Sequence, residues 1–176
     1  AGHNMIITNG KIITWERPNR ILEGYAIRVA DDAIDRIEEQ KSLLTEFPEE
    51  EILDAHGQYV MPGNICAHTH FYGAFSRGMS INGRPPQNFP EILRQLWWPL
   101  DKALDPEGVK YSALVCMADA IRHGTTTLID HHASQNAIEG SLNVIAQAAN
   151  TCGLRIASCY EVTNRDGEDK TRQGIE

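Results

Sequence analysis

The spacing of apolar residues changes character at about residue 60. Before that point the chain alternates over short runs: Met5-Ile6-Ile7-Thr8, Lys11-Ile12-Ile13-Thr14, Gly24-Tyr25-Ala26-Ile27-Arg28-Val29 and Ala33-Ile34-Asp35-Arg36-Ile37. A period of two puts every second side chain on one face, which suits half-buried strands. Asn9-Gly10, between the first two runs, is a two-residue hairpin signal, so those runs are expected to pair with each other. The segment up to about residue 60 therefore reads as small antiparallel β structure. Glu38 to Glu51 is rich in charge and carries Pro48, which reads as a surface connection with room for one helical turn. Pro62-Gly63 then breaks the pattern.

From Asn64 the grammar becomes strand followed by helix, repeated. Asn64-Ile65-Cys66-Ala67 suits a short buried strand, and residues 91–104 are helix-prone with Pro99 marking a kink or break. Asp105-Pro106-Glu107 is a helix start: Asp as N-cap, Pro at the first helical position, Glu at the positive end of the dipole. Val109, Ala113, Cys116, Met117, Ala120 and Ile121 follow at helical spacing and Gly124 sits just past the end, predicting a helix from Pro106 to His123. Thr125 to Asp130 is β-branched and strand-like, Ile138 to Asn150 is helical with Gly153 as terminator, and Leu154 to Cys159 is a further strand. That order implies parallel strands joined by right-handed crossovers. Thr163 onward is charged and turn-rich, without a packed ending. Ala1-Gly2-His3-Asn4 resembles a cloning remnant, so the structured chain is expected to start at Met5.

Composition narrows the function classes. The 176 residues are 41% hydrophobic with a net charge of −8, the profile of a globular chain of one-domain length. No run approaches the roughly 18 apolar residues of a membrane span, and the N-terminus lacks a signal-peptide pattern. The acidic excess argues against a protein that works by neutralising nucleic-acid phosphates. Cys66, Cys116, Cys152 and Cys159 fall at irregular spacings with no Cys-x-x-Cys pair, which suggests neither a disulfide framework nor a thiolate zinc site. The expectation is a cytoplasmic protein with neither a nucleic-acid nor a membrane partner.

His68-Thr69-His70 carries the first candidate chemistry. Residues i and i+2 of a strand share a face about 6.5–7 Å apart, close enough for two imidazoles to reach one cation. Neutral imidazole suits zinc, iron, nickel or cobalt, and a catalytic zinc takes three protein ligands and a water. The alternative is two unrelated histidines on a loop.

The longer run Ile52-Leu53-Asp54-Ala55-His56-Gly57-Gln58-Tyr59-Val60-Met61-Pro62-Gly63, followed by His68-Thr69-His70, resembles the entry to the barrel of the amidohydrolase superfamily. Phe71 to Gly78, Leu96-Trp97-Trp98-Pro99-Leu100-Asp101 and Gly124 to Ser134 are similar to its deaminase and chlorohydrolase branch, nearest to the aminohydrolases associated with selenium metabolism. The resemblance spans Met5 to Asn164. It implies an α/β fold: the N-terminal portion of a (β/α)8 TIM barrel of the metal-dependent hydrolase type, preceded by part of a small β-sandwich. Residues 1–60 would supply the sandwich part, with 1–4 the tag remnant, and 61–176 the first three strand–helix units.

The resemblance also implies an activity. A metal-activated water would hydrolyse a C–N or C–Cl bond of a small heterocyclic substrate, with a carboxylic acid shuttling the proton and ammonia or chloride leaving. His68 and His70 match the first two ligands of a divalent metal, zinc first and iron second. Arg77, Trp97 and His131 match substrate-facing positions; their ordinary readings are a solvated loop charge, a core aromatic and a backbone-bonded histidine. Glu161 faces the same mouth by position, and a structural role suits it better. The remaining ligands and the proton-shuttling carboxylate would come from later strands, so the expected partners are a small-molecule substrate, the C-terminal half of the same protein, and a second copy in a homo-oligomer. Two other readings stay open: a non-catalytic binding or scaffold fragment, and a small metal hydrolase complete in itself that uses His68, His70 and His131.

Overall fold

The computed structural model describes residues 4–81 and 83–176. The expectation of a tag remnant lies, apart from Asn4, outside them. The described chain divides into two compact units at Pro62/Gly63.

The described residues of the first unit form seven short strands in two sheets. β1 (Met5–Thr8), β4 (Tyr25–Ala30), β5 (Ala33–Glu39) and β6 (Glu51–Asp54) form one sheet in the order β5-β4-β1-β6. β2 (Lys11–Ile13), β3 (Ile21–Leu22) and β7 (Tyr59–Val60) form the other, in the order β3-β2-β7. The expected hairpin at Asn9-Gly10 is therefore corrected. β1 pairs with β4 and β6, while β2 pairs with β3 and β7, so the two runs lie in different sheets. Asn9 takes a left-handed φ of 55°, and its amide N–H and side chain bond Gln40 and Asp54 instead of closing a ladder. The purely antiparallel reading also fails, because β6 and β7 run parallel to β1 and β2.

Glu38 to Glu51 is more than a surface connection. It contains α1 (Gln40–Glu46), whose Leu43 is fully buried with Ile6 and Ala26. Leu44 and Phe47 pack against the same cluster, and so short an apolar run is a signal too sparse to read among so many charges. Arg28 lies over the Phe47 ring and pairs with Glu50 and Asp35, closing the end of the unit.

In the second unit three parallel strands lie in the order β10-β9-β8: β8 (Asn64–Thr69), β9 (Thr125–His132) and β10 (Arg155–Tyr160). α4 (Pro106–Arg122) follows β8 and α5 (Ser141–Cys152) follows β9. Asp105 caps α4 by accepting the Gly108 N–H at 2.7 Å, and Gly124, at φ 74°, releases the chain into β9. Val109, Ala113 and Met117 of α4 pack with Ile145, Ala148 and Ala149 of α5 and Leu128 of β9 in one core. Burying each larger side chain contributes about 1.5–3 kcal/mol.

Pro99 does not end the helical stretch. α2 (Phe89–Ile92) passes into a π-helical turn, Leu93–Trp97, and then α3 (Trp98–Ala103), with Pro99 in the first turn of α3 where its missing N–H costs least. The expected turn-rich tail is also corrected, since Glu168–Ile175 forms α6. Among the described residues no helix is long and apolar enough to cross a membrane.

Candidate metal centre

His68 in β8 and His70 just beyond it owe their direction to an irregularity. Cys66 lies opposite Leu128 and Thr69 opposite Asp130, so β8 takes three steps where β9 takes two. In a regular strand Cys66, His68 and His70 would share a face, and Cys66 packs against the hydrophobic core. The extra residue of the bulge re-aims the later side chains. His68 is exposed and His70 half-buried, with their Nε2 atoms 3.1 Å apart.

His70 Nδ1 lies 2.7 Å from the carbonyl oxygen of His131. A carbonyl only accepts, so Nδ1 carries the proton and Nε2 presents its lone pair toward His68. The His131 ring stands edge-on to His70, with centroids 5.5 Å apart at 86°. Three imidazoles thus gather where β8 and β9 end. Among the described residues no group of three or more His, Cys, Asp or Glu side chains converges as a complete metal site. The donor set fits two of a divalent ion's ligands, both neutral nitrogens, with the outer nitrogen of His70 braced by a carbonyl as metal-binding histidines usually are.

Below the pair lies a buried polar layer. Asp130 is fully buried and accepts the Phe71 N–H at 2.9 Å, fixing the turn immediately after His70. Burial pushes its carboxyl up to about 6, against the pull of that N–H and of His70. His132 is buried too; its Nε2–H donates to Ser134 Oγ at 2.9 Å, because that hydroxyl spends its own proton on the Ala137 carbonyl. Burial, aided by the nearby His131, holds His132 down at about 4, so it is neutral at ordinary pH. Tyr72 is buried between the His70, Trp97 and His132 rings, and burial followed by the charges of Asp101, Glu161 and Asp130 raises its hydroxyl pKa.

The other sequence-derived candidates separate. Trp97 ends the π turn, packs against the core and meets Tyr72 edge-to-face at 6.0 Å, so it reaches the histidines through Tyr72. Arg77 is exposed beyond the 3₁₀ segment Phe71–Ser76, and its charge acts on the Cys116 thiol of α4, opposing the burial that raises that thiol's pKa. Glu161 follows β10; its N–H bonds the His132 carbonyl at 2.8 Å and its carboxylate lies 3.4 Å from Arg165 Nε. Sequence reading missed Asp130, Tyr72 and the buried pair of Asp101 with Arg165, 2.6 Å apart. Asp130 had a usable signal, a carboxylate that directly follows the apolar Leu128-Ile129 of its strand. The Asp101–Arg165 pair had none, being joined across 64 positions.

Comparison with known proteins matches the profile of the amidohydrolase family to residues 59–175. A 5-methylthioadenosine/S-adenosylhomocysteine deaminase of Acetivibrio thermocellus is 31% identical over 155 residues, covering 85% of this chain and 34% of the relative. The chain thus spans about a third of the length of that curated relative. Among solved structures, E. coli guanine deaminase aligns with a TM-score of 0.76 at 15% identity, over 99% of this chain and 42% of that one. Atrazine chlorohydrolase from Arthrobacter aurescens, complexed with zinc, aligns at 0.72 and 20% identity, over 89% of this chain and 35% of that one.

Proposed function

The chain belongs to the amidohydrolase family, and we propose that it supplies the first part of a metal-dependent hydrolase site that cleaves a C–N or C–Cl bond of a small nitrogen heterocycle. On this reading β8, β9 and β10 are the first strands of a (β/α)8 barrel, and the two small sheets of residues 4–62 are part of a β-sandwich. The sequential parallel order of the three strands, with helices between them, supports the barrel. The names of the relatives, deaminases of adenosine-type compounds and of guanine and a chlorohydrolase of a triazine, support the substrate class.

One observation carries the proposal: the Nε2 atoms of His68 and His70 stand 3.1 Å apart, with the tautomer of His70 set by the His131 carbonyl. These two nitrogens would hold the ion, zinc by preference for imidazole. A divalent ion there supplies a Lewis acid that makes water nucleophilic near neutral pH. The chain's own residues do the rest of the local work. Asp130 pins the backbone after His70, Tyr72 backs its ring, and the half-buried His131 stands beside His70 as a polar contact for substrate. Trp97 supports Tyr72, and Arg77 is free to meet an anionic or carbonyl group of the substrate. Further ligands and the proton-transferring carboxylate belong to the rest of the protein.

The test uses the full-length protein. Metal quantification is expected to give at least about one divalent ion per chain, and His68→Ala and His70→Ala are each expected to weaken metal affinity by about 100-fold or more. The wild type is then assayed for release of ammonia from 5-methylthioadenosine and guanine, and of chloride from atrazine. Full metal content in both alanine variants would refute the ligand assignment.

A further inference from the structure

Glu161 emerges from the structure in a different light from the structural carboxylate that its sequence position suggests. Cys159 lies opposite His131 and Tyr160 opposite His132 in the parallel ladder, and the Glu161 N–H continues that ladder to the His132 carbonyl. Alternation then sets Glu161 on the same face as His131, while Tyr160 follows His132 to the other, where their rings meet at 6.0 Å. Glu161 is thus the next side chain along the face that carries the histidine cluster, and it keeps 29% of its side-chain surface open.

Its support is unusual. Its Oε1 lies 3.4 Å from Arg165 Nε, an ion-pair contact that the same nitrogen shares with Asp166 Oδ2 at 3.7 Å without a hydrogen bond to either. Arg165 is itself held by Asp101 at 2.6 Å, and these two side chains are only 12% and 2% exposed. Trp98 lies against the guanidinium, 5.4 Å from ring centroid to Cζ. Withdrawing both charges from water is costly, so a buried pair is a weak device for stability and a good one for fixing direction. Here the anchored guanidinium turns its Nε edge toward Glu161 and Asp166, which places a positive charge beside a Glu161 carboxylate that stays partly open to solvent.

We propose that Glu161 is a substrate-contacting, specificity-determining residue that accepts an N–H of an amine-bearing nitrogen heterocycle, and that Arg165, anchored on Asp101, is its positioning residue. The inference deepens the reading given under Proposed function and rests on it for the class of ligand. A carboxylate suits that ligand because an ionised acceptor makes a stronger hydrogen bond than a neutral one. An analogue that lacks the N–H leaves the partly buried Glu161 carboxylate without that donor, which is how such sites discriminate.

The experiment compares binding of 9-methyladenine and 9-methylpurine, which differ by the amino group, to the metal-loaded full-length protein by calorimetry. The wild type is expected to prefer 9-methyladenine by about tenfold or more. Glu161→Gln is expected to remove most of that preference while leaving 9-methylpurine binding and metal content unchanged. Arg165→Lys, which keeps the charge and loses the planar guanidinium shared among Asp101, Glu161 and Asp166, is expected to reduce the preference partially, and it decides the matter if Glu161→Gln does not fold. Equal wild-type affinity for the two compounds, a loss in Glu161→Gln that affects both alike, or a preference untouched in both variants would overturn the assignment. Loss of the metal or of turnover in the wild type, with the preference intact, would instead count against the hydrolase reading alone.

Discussion

His70 donates its Nδ1 proton to the backbone carbonyl of His131 at 2.7 Å, tying the end of β8 to the end of β9 through a side chain whose other nitrogen faces His68. The proton is therefore on Nδ1 before any ion arrives. Nitrogen-detected NMR of the full-length protein is expected to report the Nδ1–H tautomer of His70 in both the metal-free and the metal-loaded states. An Nε2–H signal in the metal-free protein would contradict it.

Gly63 begins the second unit under Thr126. A Cβ added there would collide with the Thr126 side chain, at 2.8 Å from its Cβ. The branch point sits on β9 and cannot swing away, so Gly63→Ala is expected to destabilise the protein by about 1–3 kcal/mol. Chemical denaturation checks this, and Thr126→Gly in the same background is expected to recover much of the loss. No change in the midpoint for Gly63→Ala would show that the backbone yields easily.

Asp101 and Arg165 are buried together, and Asp101 keeps a raised carboxyl pKa of about 6 because burial outweighs the neighbouring guanidinium. Asp101→Leu leaves Arg165 short of its nearest partner, with Glu161 and Asp166 compensating in part. A loss of about 3 kcal/mol is expected in denaturant unfolding. The double variant Asp101→Leu, Arg165→Met is expected to be more stable than the single one, since no buried charge is then stranded. A double variant as unstable as the single one would argue against that accounting.

His132 offers a pH signature. Its pKa is depressed to about 4 in the fold from an ordinary 6.5, so the unfolded chain binds a proton more readily. This contribution to stability is fully present above about pH 6.5 and is lost as pH falls through the folded value near 4. The shift corresponds to a term on the order of 3 kcal/mol. His132→Phe, of similar shape and without a titrating nitrogen, is expected to flatten the stability profile between pH 6.5 and 4. A slope identical to the wild type would assign it to other groups.

Much of the second unit is legible along the chain. The Asp105 cap, the apolar spacing from Val109 to Ile121 and the glycines at 124 and 153 predict α4 and α5 to within a few residues, because caps and periodicity are local. The first unit is less so. Asn9-Gly10 has the chemistry of a hairpin turn, yet β1 and β2 find their partners elsewhere, because pairing is decided by which strands cover each other's apolar faces. α1 is held by Leu43 with Leu44 and Phe47 packed beside it, and no count of charges around them reveals that contact.

The candidate site divides in the same way. The sequence by itself determined that two histidines stand two residues apart at the end of a parallel strand, inside a run of residues similar to the amidohydrolases. It could not determine where they point. Strict alternation would have placed them on the face of Cys66, against the helices; the bulge between Cys66 and Thr69 places their nitrogens together in the open. A bulge is a mismatch between two strands, so it exists only once β8 and β9 are paired. The same holds for the carbonyl of His131 on His70 and for Asp101 on Arg165, contacts across 61 and 64 positions that only the folded chain creates.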